Sequence, residues 1–488
     1  MRRGGARIAL CGAVMALSIA PARADTLRDA LASSYNTNPT LQAARANQRG
    51  VDENVVIERA AGLPRAAGDA SYSEVLHSSY SDPGNLYPDR QVNAGLSLSV
   101  PVYSGGAVRN AVRAAKVRVK AGQADLRATE SAIFSQVTAV YMDVILNEAI
   151  VGLNMKLVDV LGVNLQATSD RFEIGDLTRT DVAQSSARLE LARGDLRSAR
   201  ANLVEARERY IRLVGHAPGQ LTPPPPLPSM PVSAEEAVAV ALQFNPDLIA
   251  AQERADAARY DIKVAGSSRL PTVELFTSGN FADSLGSGTL ATDMINGTGS
   301  DRTTSASAGV RATIPLYQGG RPAALERQAQ AGASAALEQQ VAIEREVIAQ
   351  VRSAYSSWQA ANAIIASTES AISAATLSLE GVQAENTVGN RTILDILNAE
   401  QELRNARVQL VTAQRNAYVA GFTLLAAMGK AEARDLDLDT GGPLYDPQDN
   451  YRRVKGKYFD WSFDPDPVTQ ATRTVDSPAQ DGEISGTQ

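Results

Sequence analysis

Cysteine is almost absent from this chain of 488 residues, in which Cys11 stands alone. It lies in the apolar run Ile8–Ala20, which follows a basic start and precedes a small-x-small cleavage site ending at Ala24. This pattern is typical of a secretory signal, which we predict over residues 1–24. The alternative is a lipoprotein cysteine, but Leu10 is too large for that signal. Cleavage would leave a chain without disulfides or thiolate metal sites.

Histidine, positive charge and long apolar runs are also scarce. Neither His77 nor His216 stands in a cluster with the spacing of metal ligands, so we expect no metal, no cofactor and no catalytic site. Removal of the signal, with its four arginines, changes the net charge from −7 to −11, which argues against a nucleic-acid partner. Beyond the signal, no apolar run reaches the ~18 residues that indicate a membrane-spanning helix.

Internal repetition is the most prominent feature that the sequence does contain. The pairs Asn-Pro and Leu-Pro recur at an offset of 207 residues, and the motifs Pro-x-Tyr-x-Gly-Gly and Gly-x-x-Thr-x-x-Asp recur at an offset of 214. The first copies begin at Asn38, Leu63, Pro101 and Gly175, and the second copies begin at Asn245, Leu270, Pro315 and Gly389. We therefore predict one structural repeat over 25–221 and a second over 232–430, joined by the proline-rich linker 222–231. The remaining tail, 431–488, loses all periodicity and is predicted to be disordered beyond about Ala471.

Two proline-free intervals, 102–217 and 323–442, predict very long helices. In each copy, 69 residues separate the Gly-Gly motif from the Gly-x-x-Thr turn, enough for a rod of roughly 100 Å. Apolar residues recur every seventh position in the same phase in both copies, which predicts coiled-coil packing. They are Val137, Val144, Val151, Val158, Leu165 and Phe172, and Val351, Trp358, Ile365, Ile372 and Leu379. A short helix from Asn38 to Gly62 and a medium one from Leu177 to Val214 would lie end to end beside the first rod.

Strict alternation of apolar and polar residues over Val92–Val102 and Ala306–Leu316 predicts strands that are wetted on one face. A partner strand is expected just before each, which gives strand pairs at about 65–103 and 272–317. Their length suits a tilted membrane crossing. Aromatic residues cluster here as the girdle of membrane strands would, at Tyr72, Tyr80, Tyr87, Tyr103, Phe276, Phe281 and Tyr317.

Four strands cannot close a barrel, and an open strand edge is not tolerated in lipid. The strands are therefore expected to be shared between copies of the chain. Two copies would give eight strands around a filled interior, whereas three would give twelve strands around a channel. The edge of a soluble β-sandwich is the alternative, and it fits the export signal and the strand length less well.

Together these features resemble the TolC family of outer-membrane factors over roughly Asp25–Lys430. The most specific of them is the turn sequence VGNRTILDILNAEQEL at Val388–Leu403. The resemblance implies a mainly α protein with a membrane β-barrel, in which a homotrimer of duplicated chains forms a twelve-stranded β-barrel continuous with a twelve-helix coiled-coil α-barrel. It also implies an outer membrane of a Gram-negative bacterium, with a large periplasmic extension that includes the C-terminal tail.

In function, the resemblance implies the passive exit duct of a tripartite export system, serving type I secretion or multidrug efflux. The implied partners are a periplasmic adaptor (membrane fusion) protein, an inner-membrane ABC or RND-type transporter, and outer-membrane lipid. A general outer-membrane porin is one alternative, but porins join their strands by short turns rather than by rods of this length. A periplasmic coiled-coil scaffold is the other, and it leaves the strand pairs unexplained.

Each Gly-x-x-Thr-x-x-Asp turn is interpreted as the tip of a helical hairpin. Gly175 and Gly389 suit the left-handed residue that ends a helix. Thr178 and Thr392 suit the first position of the returning helix, with an aspartate three residues later as in a capping box. The tips would lie at the far end of the tunnel from the lipid.

The resemblance implies that Asp395 forms the constriction of the tunnel entrance. The family has a second acid one turn later, where this chain has Asn398, so we expect one ring of charge instead of two. The alternative is that Asp395, like Asp181, serves only as a cap.

The resemblance further implies a lock between neighbouring hairpin tips. Arg391 matches the family's arginine, and Thr180 and Asp181 match its partners. Asn386 stands where the family has a tyrosine, so a weaker lock is expected.

Overall fold

A computed structural model describes residues 25–77, 88–228, 230–287 and 301–484. The predicted signal sequence and the predicted girdle residues Tyr80 and Tyr87 lie outside the described residues. Helices dominate: α1 Leu27–Thr37, α2 Pro39–Ala60, α3 Ala107–Glu173, α4 Arg179–Val214, α5 Ala234–Phe244, α6 Pro246–Ser267, α7 Arg321–Thr387, α8 Ile393–Ala427 and α9 Pro447–Val454. The strands are β1 Arg65–Glu74, β2 Arg90–Ser104, β3 Thr272–Asp283 and β4 Arg302–Thr313. Within the described parts of the chain, no helix combines the length and the apolarity needed to cross a membrane.

The same order of elements occurs twice: two short helices, a strand pair, a long helix and a medium helix. The long helices α3 and α7 each contain 67 residues. Each begins directly after a Gly-Gly pair and ends directly before a hairpin turn, as the glycine spacing predicts. The duplication in the sequence is thus matched by a duplication in structure.

Equivalent asparagines tie the short helices of each repeat to its medium helix. Asn38 and Asn245 cap α2 and α6, each of which begins with proline. The side-chain amide of Asn38 also donates to the Leu213 carbonyl at 3.0 Å, and that of Asn245 donates to the Ala427 carbonyl at 2.9 Å. The asparagine of each repeated Asn-Pro pair therefore caps the start of one helix and also satisfies a carbonyl at the end of another.

Equivalent tyrosines hold the two ends of the linker between the repeats. The hydroxyl of Tyr141 on α3 lies 2.6 Å from the Thr222 carbonyl oxygen. The hydroxyl of Tyr355 on α7 donates to the Val232 carbonyl at 2.8 Å. The linker is thus fixed against both long helices.

The four strands form one antiparallel sheet in the order β1-β2-β3-β4. The central pair, β2 and β3, joins the two repeats, with Leu96 opposite Gly279. Strand β4 ends at Thr313, short of the predicted limit near residue 317. The reason is that Thr313 pairs with Thr272, the first residue of β3, so the residues beyond it have no strand to join. In the single chain, β1 and β4 form the two edges of the sheet.

The largest core lies where α1, α3, α4 and α8 meet, and Phe134, Tyr141, Leu203 and Tyr210 are fully buried there. The predicted heptad positions are buried in the middle of the rods, as at Val137, Val144, Val151 and Val351. Toward the hairpin tip the heptad positions become less buried, and Phe172 is exposed.

The C-terminal tail has a defined course up to residue 484, in contrast to the disorder expected beyond Ala471. Arg207 is buried on α4 and donates to the carbonyl of Asp481 at 2.9 Å and to Glu148 at 2.9 Å. Ile484 packs against the core. The tail lacks periodicity, yet it supplies a second acceptor, beside Glu148 of α3, to a buried guanidinium.

Candidate functional site: the hairpin tips

Both hairpin tips turn at a glycine in the left-handed conformation, with φ of +82° at Gly175 and +80° at Gly389. At the second tip, the amide of Gly389 donates to the Asn386 carbonyl and that of Asn390 to the Glu385 carbonyl, both at 3.0 Å. This pair of hydrogen bonds is the Schellman arrangement, which satisfies the last carbonyls of the helix. The first tip repeats it. The glycines are therefore needed for the reversal of the chain.

A capping box starts the returning helix at each tip, as the sequence predicts. The carboxylate of Asp395 accepts from the amide of Thr392 at 2.9 Å and from its hydroxyl at 2.8 Å. The carboxylate of Asp181 accepts from the equivalent groups of Thr178 at 2.9 and 2.7 Å. Hydrogen bonds from Thr392 lower the pKa of Asp395, and those from Thr178 lower the pKa of Asp181. Both exposed carboxylates are ionised at neutral pH.

Asn398, predicted at the constriction, contacts the other hairpin of the same chain. Its side-chain oxygen accepts a hydrogen bond of 3.0 Å from a guanidinium nitrogen of Arg188 on α4. Beside it, Leu397 is 3% exposed and packs with Leu157 and Leu161 of α3. The start of α8 is thus bound to the first hairpin by one polar and one apolar contact.

Arg391 makes its ion pair within its own hairpin, with Glu385 at 2.7 Å. The side-chain amide of Asn386 donates to the Arg391 carbonyl at 2.7 Å, which holds the turn closed. Among the described residues of one chain, Arg391 makes no hydrogen bond or ion pair with Thr180 or Asp181. A tie from Arg391 to a neighbouring chain stays a prediction.

Two further arginines of α8 join the hairpins higher up, and sequence reasoning missed both. Arg404 donates to the side-chain oxygen of Asn154 at 2.6 and 3.1 Å, and Arg415 pairs with Asp143 at 2.8 Å. Asn154 is 2% exposed, so this contact is shielded from water. The two arginines are 11 residues apart, and so are their partners on α3, which is close to three helical turns. That matched spacing is the signal that could have revealed the contacts.

Across the described ranges, no group of three or more histidine or carboxylate side chains is placed to hold a metal ion. The tips offer exposed, ionised carboxylates on hydrogen-bonded turns and a set of polar contacts between two hairpins. This arrangement is suited to lining and constricting an opening.

Known proteins share both the sequence and the fold. A profile of the family described as outer membrane efflux protein matches residues 30–216 and 237–430. The outer membrane efflux protein BepC of Brucella suis is 34% identical over 440 residues, covering 90% of this chain and 92% of that protein. The outer membrane protein TolC of Vibrio cholerae is 27% identical over 422 residues, covering 84% and 93%. The crystal structure of the Campylobacter jejuni CmeC outer membrane channel matches with a TM-score of 0.71 at 17% identity, covering 88% of each chain.

The mainly helical fold is therefore that of an outer-membrane channel protein. The chain belongs to the outer membrane efflux protein family, and it is located in the outer membrane of a Gram-negative bacterium. The family resemblance predicted from the sequence is confirmed.

Proposed function

We propose that three copies of this chain form a passive exit duct, with a twelve-stranded barrel in the outer membrane and a tunnel of helices below it. The observation that carries this proposal is the four-stranded sheet with two open edges. An even number of antiparallel strands leaves β1 and β4 running in opposite directions. Copies joined edge to edge therefore continue the antiparallel pattern and close without a free edge.

The helices supply the second part of the proposal. Helices of 67 residues are roughly 100 Å long, so the tips lie far from the sheet. A general porin needs no such extension, and a scaffold needs no sheet. A duct that continues from the membrane toward a transporter needs both.

We infer that the tips face a periplasmic adaptor and an inner-membrane ABC or RND-type transporter. Exposed apolar side chains mark both tips, with Ile174 81% exposed and Val388 71% exposed. Such residues suit a protein contact, since they have no cover in the single chain. The BepC relative carries the name efflux protein, which supports export as the role. Crosslinking in cells followed by purification of the trimer tests this, because recovery of neither partner class would contradict a tripartite system.

At the entrance, Asp395 forms a ring of three carboxylates around the threefold axis in this proposal. Like charges brought together attract cations, and multivalent cations most of all. We expect a trivalent cation added to the periplasmic side of planar bilayers to block the current. Asp395→Asn should relieve that block.

Asp181→Asn is the matched control, since Asp181 makes the same capping box at the other tip. Both variants lose an equivalent helix cap. A difference in cation block between them therefore reflects where each carboxylate lies and not a loss of stability. If the trivalent cation blocks a folded Asp395→Asn trimer as tightly as the unchanged protein, Asp395 is a cap and not a constriction.

A further inference from the structure

The C-terminal tail carries an exposed aromatic loop, residues 458–463, that the duct does not explain. Its four aromatic side chains are exposed to nearly the same degree: Tyr458 65%, Phe459 73%, Trp461 75% and Phe463 77%. Trp461 and Phe463 meet edge to face, with ring centroids 6.4 Å apart. A contiguous apolar group of this size on a surface indicates a binding partner.

The loop is held firmly, so its exposure is built into the structure. Arg59, near the end of α2, donates to the Lys457 carbonyl at 3.1 Å, and its guanidinium lies 4.3 Å from the centroid of the Tyr458 ring. After the loop, Asp464 accepts from Arg453 at 2.7 Å and from Lys457 at 3.0 Å. Both ends of the loop are therefore anchored to α2 and α9.

The place of the loop in the fold points to its partner. Tyr458, Phe459 and Phe463 of the loop line one concavity with Leu63, Pro64 and Arg65, and Arg65 is the first residue of β1. Tyr103 and Tyr317 are also exposed at this end of the sheet, at the end of β2 and just after β4. The aromatic side chains thus lie at the level where the helical body gives way to the strands.

We propose that the aromatic loop contacts the phospholipid surface of the outer membrane on its periplasmic side. Tryptophan and tyrosine favour the boundary between headgroups and acyl chains, because one part of the ring system is apolar and the other can hydrogen-bond. Arg65 is exposed in the same concavity and can pair with a lipid phosphate, whereas Asp460 within the loop is acidic, so the contact rests on the aromatic rings more than on charge. This inference rests on the proposed function, since it takes the strands as the membrane-embedded part.

Fluorescence quenching tests the contact, because the chain has only two tryptophans, Trp358 and Trp461. Trimers of the full chain are reconstituted into vesicles of phosphatidylethanolamine and phosphatidylglycerol, some brominated on the acyl chain near the headgroup. In Trp358→Phe trimers, which retain Trp461, the brominated lipid should quench emission roughly twofold or more, as for an interfacial ring. In the matched Trp461→Phe trimers, which retain Trp358 on α7, quenching should be much weaker.

Three results would overturn the proposal. Trimers that conduct, but in which Trp461 is quenched by aqueous acrylamide and not by brominated lipid, have the loop in water. Trimers that conduct and resist both quenchers have the loop covered by a second copy or another protein. In both cases the duct stands and the lipid contact fails. A chain that neither inserts nor conducts contradicts the duct, and the lipid contact with it.

Discussion

Replacing Arg188 and Arg404 together by serine should raise the single-channel conductance of the duct several-fold, on the order expected when a closed population opens. Both arginines reach from one hairpin to the other, Arg188 to Asn398 at 3.0 Å and Arg404 to Asn154 at 2.6 Å. Because they connect the hairpins rather than brace one of them, they hold the tips in their present arrangement. The conductance of reconstituted trimers measures the change directly.

The contact of Arg404 with the buried Asn154 should account for most of the rise in conductance. Asn154 is 2% exposed, and a hydrogen bond from a charged donor in such a place contributes roughly 1.5–3 kcal/mol. Each 1.4 kcal/mol changes an equilibrium about tenfold, and a symmetric trimer holds three copies of the contact. The serine at position 404 also leaves the Asn154 oxygen without its partner, which weakens the present arrangement of the hairpins further.

Arg193→Ser is the control for the loss of charge and bulk. Arg193 is also on α4, but it pairs with Glu190 of the same helix at 2.6 Å and so connects nothing across the hairpins. Its replacement should leave conductance unchanged. Equal conductance of the double variant and the unchanged trimer would show that these contacts do not hold the entrance closed.

Glu130→Gln should stabilise the protein at alkaline pH, by up to about 3 kcal/mol near pH 8. Burial raises the pKa of Glu130 from 4.5 to about 7, and the nearby charge of Glu432 acts in the same direction. The amide of Ala433, which donates to the carboxylate at 2.6 Å, and the guanidinium groups of Arg45 and Arg434 oppose the rise. The net effect is still a raised pKa, so the Glu130 carboxyl of the folded chain stays protonated up to about pH 7.

The sign follows from proton binding. Between pH 4.5 and about 7 the folded chain keeps a proton on Glu130 that the unfolded chain has lost, so stability falls as pH rises through this window. Above it the loss is complete and constant. Glutamine has no proton to lose, so the variant should show a flatter profile and the larger advantage above neutral pH.

Denaturant unfolding of detergent-solubilised protein across this pH range measures the difference. Asp159→Asn, at an exposed position of the same helix, is the control and should follow the unchanged protein. A Glu130→Gln profile parallel to that of the unchanged protein would mean that Glu130 is ionised in the folded chain throughout.

Much of the fold could be predicted because the sequence contains each signal twice. Proline-free intervals and paired glycines defined the long helices to within a few residues, since a helix cannot pass either feature without cost. Gly389, Thr392 and Asp395 were predicted as a turn and capping box because their roles depend on local backbone geometry alone. The roles of residues that interact within a single turn can therefore be predicted from the sequence.

Contacts between distant segments were not predictable in the same way. The ion pair of Arg391 with Glu385 of α7, six residues earlier, was not anticipated, and the tie of Arg391 to a neighbouring hairpin stays a prediction. Arg404 and Asn154 are 250 residues apart, and neither stands in a repeated motif. The C-terminal tail shows the same difficulty, since its course depends on the buried Arg207 of α4 and not on any periodicity of its own.

Disulfide crosslinking between sheet edges tests most directly whether three chains close one barrel. The predicted mature chain has no cysteine, so every introduced thiol reports its own position. Ala70→Cys in β1 is combined in turn with Ala306→Cys, Ala308→Cys or Ala312→Cys in β4, which lie on the same face of the sheet. We expect at least one pair to give covalent dimers and trimers and nothing larger, whereas single-cysteine chains give at most dimers. If every pair leaves only single chains, or the ladder continues past trimers, the closed three-chain barrel is contradicted.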